Sequence, residues 1–359
     1  MKEKNTRVEF YDYVRFMAIV LVVLGHASYL CHSTGLGGVE YELPSTLNGH
    51  YDDWVFRVIR AIGLWAYGFH MPMFFALAGA VYALKEAVSF DALVKKKSIS
   101  LLLPYLVYGL LYMIPLKCFS GFYDFGNIRY ITRDFLSGGG ESGHLWFLIE
   151  LFWCFVFAYV LIKYVAPKSK AAVMLIVIIA ANVDLDSIPA FWGFSGAFDD
   201  VVWFMTGYFF EKNFREGFEK TDLLKKVCLF GFLFIVSQIQ NVYTKEGSLV
   251  YIFIMISMFG SLALLVYSVV KENKLISRFV HFISKVSVYV YIFHDPMDYV
   301  ILKYAFKYDW LSDGKMVYVY YFMRTAGVFI VSVLMGCVVS KLKECFRQKR
   351  IGHKQIEKI

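Results

Sequence analysis

Histidine is the side chain best suited to exchange protons at neutral pH. Four of the eight histidines here, His26, His70, His144 and His294, lie in or beside long apolar runs. An ionisable group in such a run is costly, and it marks a pathway, a pair or a reacting group. Arg15 and His26 are separated by ten residues. On a helix, eleven steps turn about 1100°, within about 20° of whole turns, and rise about 16 Å. Both side chains therefore share one stripe with Ile19 and Val22, and Asp12 lies one turn before Arg15. A cation at one end of this stripe and an imidazole deep along it suit a long anionic ligand threaded along the helix.

The other candidates are more scattered. His70 stands two residues before Pro72, whose missing amide kinks a helix and calls for compensation by neighbours or a cavity. The segment Gly138-Gly139-Gly140-Glu141-Ser142-Gly143-His144-Leu145-Trp146 opens another apolar run, with Glu150 just inside. Its glycines lack the Lys-Ser/Thr ending of a phosphate loop. His144 and Glu150 are therefore read as acid–base groups at the outer mouth, and Trp146 as an interfacial aromatic. His294, next to Asp295 and Pro296, is placed to orient another imidazole or to close a pocket. Arg324, inside the last apolar run, must find an acceptor, for which Glu150 is a candidate. Lys95, Lys96 and Lys97 suit phosphates or lipid headgroups. A plainer reading stays open for each: a snorkelling Arg, a His bonded to a neighbouring helix, a proline kink. The six cysteines show no metal-ligand spacing, so no metal is expected; Cys31 and Cys118 both fall near one surface, where they could pair.

These residues must be positioned by membrane helices. The chain is 58% hydrophobic and 18% charged, with a mean hydropathy of +0.54, more apolar and less charged than a soluble domain. Apolar blocks approach the ~20 residues that cross a bilayer. They predict an all-α polytopic protein with about ten spans, near 13–31, 62–84, 99–118, 145–165, 170–183, 198–210, 227–243, 249–270, 284–304 and 317–340. The fifth and sixth are short, and losing both would leave the terminal topology unchanged. Of the 37 Lys and Arg, 26 fall on one side of this arrangement and nine, Lys117 among them, on the other, with Arg15 and Arg324 inside. That asymmetry predicts cytoplasmic termini. It also reads the net charge of +8 as a membrane-protein feature rather than a nucleic-acid patch, and the basic tail 341–359 as a lipid contact.

The ordered motifs resemble the membrane-bound acyltransferase 3 family, the O-acetylases of bacterial surface polysaccharides, including the fucose 4-O-acetylase-like branch. The matching residues are Asp12-Tyr-Val-Arg15 with Val22-Val-Leu-Gly-His26, then His70-Met-Pro-Met-Phe-Phe with Gly79. Further along come Pro104-Tyr105, His144-Leu-Trp-Phe-Leu148 and Ser287-Val-Tyr-Val-Tyr-Ile-Phe-His294. Phe16 stands where glycine is common, and lysines at 95–97 replace frequent arginines, which weakens the expected contact with CoA phosphates. The resemblance implies a single transmembrane domain over 1–340 in a bacterial inner membrane. It also implies transfer of an acyl group, usually acetyl from acetyl-CoA, to a carbohydrate hydroxyl, with His26 catalytic and Arg15 in the same motif.

Chemistry assigns the remaining roles. His26 is the base or a transient acyl carrier. Asp12 orients Arg15, while Arg15 with Lys95, Lys96 and Lys97 neutralises the donor's phosphates. His70, His294 and Glu150 complete the acid–base set. His144, Trp146 and Arg324 face the acceptor, where Trp192 adds another aromatic. The expected partners are acyl-CoA, a carbohydrate and membrane lipids; assembly into a homo-oligomer is compatible with this reading. The competing class is a proton-coupled exporter of a glycan or lipid intermediate, which shares the buried His, Asp and Arg. The sequence has no matching halves of the kind such transporters carry.

Overall fold

The computed structural model describes residues 8–27, 54–85, 88–183, 191–243, 248–308, 310 and 315–356. Cys31 lies outside them, and with it any pairing to Cys118. The described residues form helices and no strand. The chain opens with α1 (Phe10–Ala27), α2 (Trp54–Tyr67), α3 (His70–Ala83) and α4 (Phe90–Ser120). Next come α5 (Ile128–Ser137), α6 (Gly140–Val165, starting as a 3₁₀ turn to Leu145), α7 (Lys170–Ala180), α8 (Gly196–Asn213) and α9 (Arg215–Lys220). The last are α10 (Leu223–Tyr243), α11 (Leu249–Val270), α12 (Lys274–Lys307) and α13, which begins as Met316–Phe322 and continues through Ile356.

Side chains set several of these boundaries. Ser89, Ser169 and Ser248 accept hydrogen bonds from the first free amides of α4, α7 and α11. Asn273 does the same for α12. Such caps satisfy donors that a helix start leaves orphaned.

Among the described residues, seven helices are long and apolar enough to cross a membrane: α1, α4, α6, α10, α11, α12 and α13. Residues Ala61–Tyr67 of α2 and α3, bent by 46° just before His70, supply an eighth as a broken span. The expected fifth and sixth spans fall on α7 and α8. The first is apolar but has only 11 residues, and the second carries Asp199, Asp200, Glu211 and Lys212. Both α4 and α12 begin well before the predicted edges of their spans, so Lys95 to Lys97 sit within a helix rather than in a loop. Helix hydrogen bonding continues past the apolar segment, which hydropathy alone cannot register.

α1 forms the centre and packs on α2, α3, α11, α12 and α13. α3 crosses α8 at backbone contact. A Cβ on Gly79 would stand 1.8 Å from the Phe204 carbonyl oxygen, and one on Gly207 would stand 1.8 Å from that of Ala76. Small residues at a crossing let helices gain dispersion contacts that lipid cannot replace.

Candidate active site

Tyr13 and Ser277 meet at 2.8 Å where α1 and α12 begin, and two further levels tie the helices together. At the first, Arg15 Nη1 donates to Ser284 Oγ (3.0 Å), Ser284 donates to Asp12 Oδ1 (2.7 Å), and Arg15 lies 3.7 Å from the same carboxylate. His281 approaches Asp12 Oδ2 at 3.6 Å. At the second level, His26 Nδ1 is 2.9 Å from Asp295 Oδ1. Arg15 and His26 are eleven residues apart, and so are Ser284 and Asp295. The two stripes therefore run in register, about 16 Å from level to level.

Asp295 is the hub of the inner level and is only 4% exposed. Its Oδ1 faces His26, while its Oδ2 lies 3.0 Å from His144 Nδ1 and 3.4 Å from Lys117 Nζ. The Lys117 ammonium is also surrounded by the rings of Phe122, Tyr123 and Tyr299. A buried carboxylate is retained only when paired and hydrogen-bonded, and here two imidazoles and an ammonium share that task.

Pro296 helps to build this hub. It has no amide to offer the Ile292 carbonyl one turn earlier, and that oxygen takes His144 Nε2 at 3.0 Å instead. Tyr291 donates its hydroxyl to the His144 carbonyl, fixing the backbone of the same residue. His294 is fully buried and its Nδ1 faces the carbonyls of Val290 (3.1 Å) and Tyr291 (2.7 Å). That nitrogen must therefore carry the proton, leaving Nε2 unprotonated; it has no hydrogen-bond partner among the described residues. The His294 ring stands edge-on to that of His26, 4.6 Å between centroids.

Arg324 closes the far end of α1. It lies in a π turn, Met323–Gly327, a local widening that often marks functional positions. Its guanidinium donates to the carbonyls of His26 (3.0 Å) and Ala27 (3.2 Å), to Tyr320 Oη (2.7 Å) and to Asp298 Oδ1 (3.1 Å). Two backbone carbonyls, a hydroxyl and a carboxylate thus share its donors, the pairing a buried guanidinium requires. The expected Arg324–Glu150 pair is thus corrected: Asp298 is the carboxylate at Arg324. Glu150 instead faces α8, where a Cβ on Gly196 would fall 2.2 Å from its Oε1, and it shares a hydrogen bond with Asp200.

The structure therefore gathers His26, His144 and His294 around Asp295, and places Arg15 and Asp12 together one level away. His70 bonds the Ala66 carbonyl through Nδ1 (2.8 Å) and packs on Tyr67, whose ring also faces His26. Trp146 is half-buried against Phe75 and Phe147. Trp192, at a φ of +50°, accepts a hydrogen bond from Trp153 Nε1 through its carbonyl.

The basic cluster divides. Lys95 and Lys96 are exposed, whereas Lys97 turns inward with its ammonium 3.2 Å from the centre of the Phe155 ring. Lys85 joins this group. Partial desolvation, followed by the charges of Lys96 and Arg15, lowers its pKa below the usual lysine value. Lys85 thus lies within electrostatic reach of Arg15 and Lys96, and Lys97 within reach of Lys85 and Lys96.

Asp295 appeared in the sequence only as a neighbour of His294, and Lys117 counted as an outer charge. Lys117 is instead 3% exposed. The signal for both was available: Asp295 and Asp298 stand one turn apart in an apolar run, and each needs a cation.

A bundle of apolar helices around a buried His–Asp–His cluster defines a polytopic membrane protein with a group of titratable side chains between its helices. The family model for the acyltransferase 3 domain matches residues 8–340. The chain belongs to that family and is a membrane acyltransferase. No curated protein and no solved structure matches it.

Proposed function

We propose that this protein transfers an acyl group, in the simplest case acetyl from acetyl-CoA, to a hydroxyl of a surface carbohydrate or its lipid-linked precursor in a bacterial inner membrane. The observation that carries this reading is the His26–Asp295 pair. A carboxylate facing Nδ1 holds the proton there and leaves Nε2 as a base. That is the tautomer a hydroxyl nucleophile needs. The fucose 4-O-acetylase-like branch remains part of this proposal for the acceptor.

In the reaction, the sugar oxygen attacks the thioester carbonyl while its proton passes to His26 Nε2. Asp295 stabilises the imidazolium so formed. The tetrahedral adduct collapses by breaking the C–S bond, and the departing thiolate recovers the proton from His26. If the acyl group first rests on His26, the same nitrogen attacks and the sugar displaces it in a second step. Arg15, Lys85, Lys96 and Lys97 supply charge for the donor's phosphates, about 16 Å along α1 from the imidazole. His144 is held by Asp295 and the Ile292 carbonyl, next to the reacting imidazole.

Membranes containing the protein, supplied with radiolabelled acetyl-CoA, test this directly. Label should pass to glycan with the native chain and not with His26→Ala, inserted at equal level. Transfer retained by that variant would remove His26 from the chemistry. Movement of unmodified glycan without labelling would support the exporter instead.

A further inference from the structure

A cavity of about 800 Å³ borders the first turns of α1. α1 contributes Phe10, Tyr11 and Val14 to its wall; α3, α7, α8, α9, α10, α11 and Phe214 between α8 and α9 contribute the rest. It does not include His26, Asp295 or any other member of the hub. We propose that it is a binding site for an acyl chain of an anionic phospholipid from the leaflet that faces the basic loops.

Three observations support this occupant. First, the wall offers hydrocarbon rather than hydrogen bonds. Thr206 and Ser261 turn their hydroxyls back onto the Val202 and Met258 carbonyls of their own helices, and Tyr11 gives its hydroxyl to Glu211. A ligand with polar groups would find few partners, whereas an alkyl chain needs none. Second, the depth fits one leaflet. Along α11 the wall runs from Phe253 to Leu264, which is about 16 Å, against about 15 Å for half the hydrocarbon core. Third, the cavity has a lateral edge and a charged rim. Phe253 (52% exposed) and Phe214 (56% exposed) stand at its border, so a chain can enter from the bilayer without crossing water. Lys170, bonded to Asn213 Oδ1 at 3.3 Å, lies at the rim on the side where Lys168 and Lys212 are also exposed. Those charges suit a phosphate headgroup of the cytoplasmic leaflet.

Gly260 makes the inference testable. It lines the cavity, and a Cβ there would meet only the Met73 methyl, at 4.0 Å. A large side chain can therefore enter the void without displacing backbone. The full chain, purified in mild detergent and exposed to mixed phosphatidylglycerol and phosphatidylethanolamine vesicles, is weighed by native mass spectrometry. The native protein should retain phosphatidylglycerol. Gly260→Phe should retain about tenfold less at an unchanged melting temperature, and Ala171→Trp, from the opposite wall, should act alike. Lys170→Ala should keep a lipid but lose the preference for the anionic one. Equal retention by both filled variants, no retained phospholipid in the native chain, or displacement of the lipid by palmitoyl-CoA would overturn the assignment.

Discussion

At the scale of single residues, the proposed chemistry turns on how one carboxylate is shared. Asp295 holds His26 through one oxygen and His144 and Lys117 through the other. Asp295→Asn keeps the shape but removes the charge that fixes the His26 proton on Nδ1. Acyl transfer should fall by about 10²–10⁴, the usual worth of a positioned acid–base group. Initial rates at matched protein level check this, and an unaltered rate would mean that the pair does not prepare the base. Arg324 acts differently, because it touches the backbone under His26 rather than the imidazole. Arg324→Ala leaves Asp298 buried without its guanidinium and should cost about 3–5 kcal/mol, read as a lowered melting temperature together with lost activity.

At the scale of elements, two helices must keep a shared register and one crossing must stay tight. Arg15–Ser284 and His26–Asp295 span the same eleven-residue interval, so α1 cannot slide on α12 without breaking both. Pro296 tests how α12 supports α6. Replacing it with Ala returns an amide to the Ile292 carbonyl, which then no longer needs His144 Nε2. Pro296→Ala should fold normally, yet lose up to about tenfold in transfer, equivalent to one hydrogen bond. A variant with full activity would show that His144 needs no such anchor. The α3–α8 crossing predicts the reverse pattern. Gly79→Ala or Gly207→Ala drives a methyl into a facing carbonyl and should destabilise by about 1–3 kcal/mol, visible in thermal unfolding in detergent with no change in the donor's apparent affinity.

For the whole molecule, the charge pattern and the cluster of cations make a joint statement about sidedness. Lys85, Lys96 and Arg15 converge at the end of α1 where the donor's phosphates would enter. If that mouth is cytoplasmic, single cysteines at 85 and 341 should react with a membrane-impermeant maleimide only after the membrane is opened. A cysteine at 130, on α5 beyond the far end of α4, should react in intact cells. Labelling of 85 from outside would invert the topology and move the donor site to the wrong compartment. Short α7 and charged α8 do not alter this expectation, because removing both as crossings preserves the parity of the rest.

Much of this was legible in the sequence because hydropathy and helical spacing are local properties. The ten apolar stretches correspond to helices, and the Arg15–His26 stripe followed from the turn angle of a helix alone. The family motifs were readable in chain order for the same reason. What the sequence left open was contact between distant segments. His26 meets Asp295 across 269 positions, and Arg324 reaches the His26 carbonyl across 298. No periodicity encodes such pairs. The Arg324–Glu150 expectation failed on this point, since two opposite charges in apolar runs attract only when the fold places them together, and Asp298 lies on the helix that Arg324 faces. Lys117 seemed an outer charge for a related reason: hydropathy places a residue near a span's end but cannot see a carboxylate waiting beside it. The sequence by itself determined the helices and the face of α1 that carries Arg15 and His26. Only the tertiary structure decided that one carboxylate gathers three cationic or titratable groups, because burying a charge is tolerable only where its partners converge in space.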